Sequence, residues 1–337
     1  MRILCSYDGL GCGHVRLVQP LREMEKHGHE VHMVESSKPA AIIAMRDAHE
    51  YDLVIGQRFA DFDGMALWRR ARSPKNRLVY ENDDDLFSID MANWAAFKTF
   101  DDLKIREAIV GYCELSDLVT VTVEPLAEIH RELGARKVEV LPNSVPAYVL
   151  DIKKQKYDRP RIGWVGGGSH GIDIHQAVPA VRRFLNKNPD WDLFIGGTDY
   201  RPSFNPKNWD QMLFSDWMQI NTHEAEYYES LEFDIGLAPV KDTPFAKSKS
   251  AVKAIDYNAR GIPVIASDVT PYRNYIVPGE NGFLVKTEHD WMKYLRMLAS
   301  DKELLRYMSE KSKEHAAKCT IEQNWVLWEQ AYEGLWK

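Results

Sequence analysis

Long apolar runs are missing from this chain of 337 residues. Nothing approaches the roughly 18 consecutive apolar residues of a membrane-crossing helix, so no spanning segment is expected. The opening Met1-Arg-Ile-Leu-Cys-Ser6 reads directly as a strand and has no secretory signal core, which points to a cytoplasmic protein. Cysteine is scarce. Cys5, Cys12, Cys113 and Cys319 show neither a CxxC nor a Cys/His ligand spacing, which excludes a disulfide framework and favours reduced thiols. A basic excess is lacking as well: the formal net charge is −7, so nucleic-acid binding would need a local patch. Low-complexity tracts and short-period repeats are absent.

What is present is the composition of a folded protein, 45% hydrophobic with 10 tryptophans, and a length suited to two domains of about 150 residues. Strand-like runs stand at residues 1–6, 30–34, 51–55, 77–80, 118–123 and 138–141, with helical patterns between them. A helix is expected from His14 to His27, ended by Gly28. After Pro142-Asn143 the chain turns polar, and residues 151–160 read as a linker. The same grammar then restarts, with strands at 161–165, 192–195, 218–220, 235–237, 263–265 and 282–285 and a helix from Ile172 to Asn186. Strands alternating with helices predict parallel sheets. The expected architecture is α/β: two Rossmann-like domains facing a cleft, over 1–150 and 158–315. Residues 288–336 are helical by period. Trp291, Tyr294, Leu295 and Leu298 form one apolar stripe, and Trp325, Leu327, Trp328, Tyr332 and Trp336 another, as core or interdomain packing.

The most informative stretch runs from Phe245 to Val285. A helix is expected from about Ser248 to Arg260, stopped by Gly261 and Pro263. On it Lys249, Lys253, Asp256 and Arg260 would share one face. Two ammonium groups, the Ser250 hydroxyl and a helix N-terminus suit a diphosphate, and Asp256 two turns along could hold a ribose. The alternative is a solvated charged face.

Each half also opens with a strand followed by glycines: Gly9, Gly11 and Gly13 in the first, Gly166, Gly167 and Gly168 in the second. Glycine lets backbone amides approach phosphate closely; a tight structural turn is the competing reading. His14 and His170 each close one of these loops and could touch a phosphate or a sugar. His14 could equally just begin its helix, and His27, His29, His32, His49 and His315 are read as ordinary surface or core histidines. Glu81-Asn-Asp-Asp-Asp85 follows a strand, where ligand residues of α/β sheets gather. Asp83, Asp84 and Asp85 could bind Mg²⁺ or Mn²⁺, or, for Asp84 or Asp85, cap a following helix.

These segments together resemble the GT-B-fold glycosyltransferases of group 1, or family 4. The resemblance is carried by Asp256, by Gly261-Ile-Pro-Val-Ile-Ala-Ser267 and by Pro278-Gly-Glu-Asn-Gly-Phe-Leu-Val285. Family members often carry two glutamates eight positions apart; here Ser248 and Asp256 stand there, so the pair is not intact. His14-Val-Arg-Leu-Val-Gln-Pro-Leu21 is similar to the helix after a GT-B glycine loop. Arg161-Ile-Gly-Trp-Val-Gly-Gly-Gly-Ser-His-Gly-Ile-Asp173 and Tyr80-Glu-Asn-Asp-Asp-Asp-Leu86 resemble motifs of a bacterial or phage branch, in its donor and acceptor domains respectively.

The resemblance implies a final helix, 316–337, crossing back onto the first domain. It also implies transfer of a sugar from a nucleoside-diphosphate sugar (UDP or GDP) with retention and without an essential metal or cofactor. Lys249, Lys253 and His14 are the expected catalytic residues. Gly11, Gly13, Gly167, Gly168, Ser169, His170, Ser250 and Asp256 are expected to bind the donor, and Asp83, Asp84 and Asp85 the acceptor. The acceptor stays open between a glycan, a small molecule, a protein and modified DNA. Two other readings stand beside this one: a non-catalytic nucleotide- or sugar-binding module, suggested by Ser248, and a dinucleotide-dependent oxidoreductase, suggested by the paired Rossmann grammar, against which the lack of a ribose-binding acid after the first glycine loop argues.

Overall fold

The computed structural model describes residues 1–9, 11–36, 44–205, 207, 209–216, 220 and 223–337. They form two compact units: Met1–Ser144 with Lys247–Ser250 and Ile321–Lys337, and Val145–Ala246 with Ala251–Thr320.

In the first unit β1 (Arg2–Tyr7), β2 (Glu30–Glu35), β3 (Leu53–Gln57), β4 (Arg77–Glu81), β5 (Leu118–Val121) and β6 (Val138–Val140) make one sheet. Its order is β2-β1-β3-β4-β5-β6, and every pairing is parallel. The central strands are apolar at successive positions: Ile3, Leu4, Cys5, Leu53, Val54 and Ile55 are all fully buried. That is the pattern of strands covered by helices on both faces.

The second unit repeats the plan with β7 (Arg161–Gly166), β8 (Asp192–Gly197), β9 (Met212–Ser215), β10 (Ile235–Ala238), β11 (Val264–Ser267) and β12 (Gly282–Val285). The order is β12-β11-β10-β7-β8-β9, again all parallel. The α/β architecture expected from the sequence is therefore present in both units. Of the strand expected at 218–220, residues 218 and 219 lie outside the described residues. The edge strand is β9, whose four residues Met-Leu-Phe-Ser are too short for a periodic signal.

Of three helical boundaries, two differ from expectation and one agrees. The helix read as starting at His14 begins at Gly11 and runs to Lys26, with a π-helical stretch at His14–Val18. Residues Gly11 and Gly13 thus sit inside a helical turn. Second, the helix expected from Ser248 is two pieces, Pro244–Lys247 and Val252–Ala259. Two serines in the intervening Ser248-Lys-Ser-Ala251 compete with helical backbone bonding, and the Ser250 hydroxyl accepts a hydrogen bond from Asn143 Nδ2 at 2.8 Å. Lys249 and Lys253 are consequently not an i, i+4 pair on one helix. Third, the stop at Gly261 is as expected. Its φ of 68° is in the left-handed region. The Ile262 N–H reaches Tyr257 O at 2.9 Å and the Gly261 N–H reaches Asn258 O at 2.8 Å, closing a Schellman turn.

Residues 151–160, read as a linker, are tied to the second unit. Arg260 donates to Ile152 O at 2.6 Å, and Lys154 and Tyr157 bind Asp234 at 2.7 and 2.8 Å. The last helix, Ile321–Glu333, groups with the first unit. Trp328 and Tyr332 are wholly buried there, His27 stacks on Trp325 at 4.0 Å, and Arg16 lies 5.7 Å from the Trp328 ring. Leu327 and Trp336, expected on the same stripe, are exposed; only positions three or four apart share a helix face. Truncating Trp328→Ala empties a fully enclosed site, so unfolding in urea should show a loss of about 3–5 kcal/mol. A loss under about 1 kcal/mol would mean that this helix end does not belong to the first core.

Candidate functional site

In each sheet the chain order reverses once, between β1 and β3 in the first and between β7 and β10 in the second. Ligand sites of open α/β sheets lie outside the carboxyl ends of the strands at such a reversal.

At the first reversal β1 ends into Asp8, β3 into Arg58 and β4 into Asn82–Asp85. Arg58 is the centre of this group. Its guanidinium stands 3.6 Å from Asp8, 3.9 Å from Asp83 and 3.8 Å from Asp84, and donates to Cys12 Sγ at 3.4 Å. Its backbone φ is 54°, a left-handed conformation rare outside glycine. Burial disfavours its charge, but Asp83 and Asp84 outweigh that and hold the guanidinium above its ordinary range. Burial, then the neighbouring Asp84 carboxylate, push Asp83 up to about 6 against the pull of Arg58. Burial and Asp83 likewise raise the Cys12 thiol, which favours the neutral form over the nucleophilic thiolate. Sequence reasoning passed over Arg58 and Asp8 because nothing local marks them; the parallel register of β1 and β3 brings them together.

The acidic run splits in two. Asp83 and Asp84 face Arg58, whereas Asp85 is buried and accepts the Phe87 N–H at 3.1 Å in an Asx turn. No helix follows directly, so the expected helix cap is a turn. Among the described residues no group of three or more His, Cys, Asp or Glu side chains is arranged to hold a metal ion.

Gly13 is required by packing, since a Cβ there would collide with the Asp8 carbonyl. His14 is buried at the start of the π-helical stretch. Two residues on, Arg16 is 1% exposed and pairs with Glu81 at 2.7 Å; it also donates to Asn143 Oδ1 at 2.9 Å and to the Leu141 carbonyl. Asn143 passes the connection to Ser250, and Lys249 lies 4.0 Å from Asp84. Lys249 and Ser250 therefore belong to the first unit's polar network.

At the second reversal β7 ends in Gly166, and Gly168–His170 form a short 3-10 turn with Gly168 and Ser169 exposed. A Cβ on Gly166 would stand 2.6 Å from the Trp164 ring, whereas one on Gly168 would meet only Thr198, at 3.7 Å. Packing therefore does not require glycine at position 168. His170 Nδ1 lies 3.0 Å from Asp173 Oδ2, and Asp173 Oδ1 accepts the Lys241 N–H at 3.0 Å. That fixes the loop after β7 to the loop after β10. Lys253, on the Val252–Ala259 helix, donates to the Val165 carbonyl and sits 5.1 Å from the Trp164 ring. It places a cation beneath the glycine turn.

Asp256 is buried on the same helix. Tyr227 donates to its Oδ2 at 3.0 Å and Tyr228 to its Oδ1 at 3.5 Å. Sequence reading missed both tyrosines, which lie on the Glu224–Glu229 helix far away in the chain. Burial pushes Asp256 up to about 7, outweighing those hydrogen bonds and Lys253. The arrangement of the second unit can hold an anion near the glycine turn and, on the evidence of these contacts, keeps one buried carboxyl poised near neutrality.

Residues 246–315 match the family model of glycosyl transferases group 1. The whole chain superposes on sucrose-phosphate synthase from Thermosynechococcus elongatus with a TM-score of 0.70 at 15% identity, covering 100% of this chain and 99% of that one. Anabaena HepE in complex with UDP and glucose gives a TM-score of 0.70 at 14% identity, with 99% of each chain covered. The lipopolysaccharide outer core galactosyltransferase WaaB gives 0.62 at 14% identity, again covering 99% of each. Among curated proteins no sequence matches the chain. At these identities the structural likeness is one of fold: the architecture is that of the two-domain GT-B glycosyltransferases, and the group 1 segment lies in the second unit except for Lys247–Ser250. Among the described residues no helix is long and apolar enough to cross a membrane.

The Asp256 carboxyl generates a pH test. Its folded value of about 7 lies above the ordinary 3.8. Between those values the folded protein binds more protons than the unfolded chain, so this group's contribution to stability is full below the lower value and is lost as pH rises through the upper. Asp256→Asn keeps a hydrogen-bonding head and removes the titration. Urea midpoints at about pH 5 and about pH 8 should show the wild type losing stability relative to Asp256→Asn as pH rises. A flat or inverted difference would mean that Asp256 is ionised in its pocket.

Proposed function

We propose that this protein is a glycosyltransferase that moves a sugar from a nucleoside-diphosphate sugar to an acceptor, with retention of configuration and without an essential metal. The observation that carries the reading is the group 1 segment at 246–315, set in a GT-B fold and containing Lys249, Lys253 and Asp256. HepE, whose fold this chain shares, is described in complex with UDP-glucose, so UDP is the first nucleotide to test.

As the glycosidic bond breaks, negative charge accumulates on the leaving diphosphate. Lys253, the exposed turn of Gly167, Gly168 and Ser169, and His170 are the groups of the second unit assigned to stabilise it. In the first unit Lys249, Ser250, Gly11, Gly13 and His14 are candidates for donor contact by the family resemblance alone. Asp256 would reach a ribose only by exchanging the hydroxyl of Tyr227 or Tyr228 for one of the sugar's, so a ribose contact here is a change of partner and not the filling of an empty position. Retention without a carboxylate nucleophile is met by same-face displacement. A phosphate oxygen of the leaving group takes the acceptor's proton while the acceptor oxygen bonds to the anomeric carbon. Asp83 and Asp84 are assigned to the acceptor.

A Lys253→Ala variant loses a charge-assisted contact worth about 1.5–3 kcal/mol, so calorimetry should show UDP binding weakened by roughly tenfold or more. Unchanged UDP affinity in both Lys249→Ala and Lys253→Ala would remove the diphosphate assignment. Release of UDP from UDP-glucose separates an enzyme from a binding module. Turnover should persist in EDTA; loss with chelator and recovery with Mn²⁺ or Mg²⁺ would transfer the electrophilic role to a metal.

A further inference from the structure

Both oxygens of the buried Asp256 carboxyl are taken by side chains of the protein itself. Tyr227 donates to Oδ2 at 3.0 Å, and Tyr228 donates to Oδ1 at 3.5 Å, the outer limit of a hydrogen bond. Burial, and then the Asp256 carboxylate, raise the Tyr227 hydroxyl well above its ordinary range, so it stays protonated and a donor. Asp256 follows Lys253 by one helical turn, and Lys253 lies at the glycine turn. A ribose attached to a diphosphate held by Lys253 therefore competes with these phenols for the carboxyl.

The two tyrosines are not held alike. Tyr228 is wholly buried in the core of the second unit, with its ring edge-on to Tyr148 at 6.4 Å. The Tyr148 hydroxyl donates to Glu224 at 2.9 Å and so braces the start of the same helix. Tyr227 is only half-buried. At about 100° per residue, Tyr227 stands between Tyr228 and the helix flank formed by Glu226, Glu229 and Ser230. That flank borders an open crevice of about 350 Å³, lined further by Phe194 and Ser215. An aromatic floor and exposed glutamates suit both parts of a displaced tyrosine, its ring and its hydroxyl.

We propose that Tyr227 is a specificity-determining residue: it occupies Asp256 in the free protein, yields to a ribose hydroxyl of the bound nucleotide, and turns into the crevice beside Phe194. The inference rests on the donor reading of Lys253 and Asp256 and adds an internal competitor to it. One step between staggered χ1 wells moves the ring, while Tyr228 holds the helix in place. Because one hydrogen bond replaces another, the ribose hydroxyl adds little net affinity in the wild type. A deoxynucleotide loses little, since Tyr227 then stays where it is. Without the phenol hydroxyl, Asp256 Oδ2 is left unpaired, and a ribose hydroxyl completes it.

Calorimetry on the intact chain at about pH 8, above the Asp256 value of about 7, compares UDP with 2′-deoxy-UDP and 3′-deoxy-UDP. Should UDP not bind, GDP and its deoxy forms take their place. The wild type should separate UDP from the weaker deoxy form by less than about threefold. Tyr227→Phe should bind UDP about threefold to tenfold more tightly, leave that deoxy form unchanged, and widen the ratio by the same factor. Tyr228→Phe should keep the wild-type ratio. A merely structural tyrosine would change both affinities together and leave the ratio alone. Circular dichroism checks folding, and Tyr227→Met replaces Tyr227→Phe if the latter does not fold. The proposal is overturned by UDP affinity unchanged or weakened in the folded variant, by an unmoved ratio, or by the same widening in Tyr228→Phe. A wild-type ratio above about threefold overturns it too, because the ribose hydroxyl would then be meeting an unoccupied oxygen. Failure of both UDP and GDP to bind defeats the transferase reading; binding with an unmoved ratio defeats this inference alone.

Discussion

A parallel strand pair cannot be closed by a hairpin, and that constraint organises both units. Each strand must be followed by a crossover, so all carboxyl ends in a sheet open on the same edge and the loops beyond them converge. Because β2 lies on one side of β1 and β3 to β6 on the other, and β8 and β9 lie on one side of β7 and β10 to β12 on the other, each edge has one place where successive loops part. Asp8 and Arg58 face each other at one such place, and the turns carrying His170, Asp173 and Lys241 meet at the other. Chemistry collects there because the topology leaves the space.

The edges are held by buried charge. Arg16 ties Glu81 at the end of β4, and its guanidinium also reaches the Val121 and Leu141 carbonyls, beyond which β5 and β6 give out. In the second unit Arg260 ties the opposite, amino-terminal edge, bonding at 2.9 Å to Glu232 just ahead of β10 and to Ile152 O. Buried pairs of this kind contribute little net stability over an apolar replacement, but removing one partner leaves a stranded charge costing about 3–5 kcal/mol. They fix the position of the strand ends more than they strengthen the fold. That suits a protein whose functional loops begin where those strands stop.

The two edges differ electrostatically, and the difference fits a division of labour. The first gathers three carboxylates about the Arg58 guanidinium; the second offers an exposed glycine turn with a lysine beneath it, pairs Asp173 with His170 and a backbone N–H, and buries Asp256 under tyrosines. Of these two surfaces the second is the more favourable to an anion. This contrast is independent of the family resemblance and agrees with it.

The sequence alone determined the α/β class, the repeat of one plan in two halves, and the helix stop at Gly261. Periodicity and glycine or proline punctuation are local properties that survive in the linear text. It also marked Asp83, Asp84, Lys253 and the glycines after β7 as candidates. Tertiary structure decided what those residues touch. Lys249 and Lys253 look like one helical face in the sequence, yet serine side chains and Asn143 break the helix between them. Asp256 reads as a surface carboxylate, yet two tyrosines contributed by another helix enclose it. Arg58 carries no local signature at all; only strand register places it between Asp8 and Asp83. The reason is physical. Period and punctuation act over a few residues, whereas burial, pairing and a carboxyl's proton affinity are set by groups that the chain brings together from far apart.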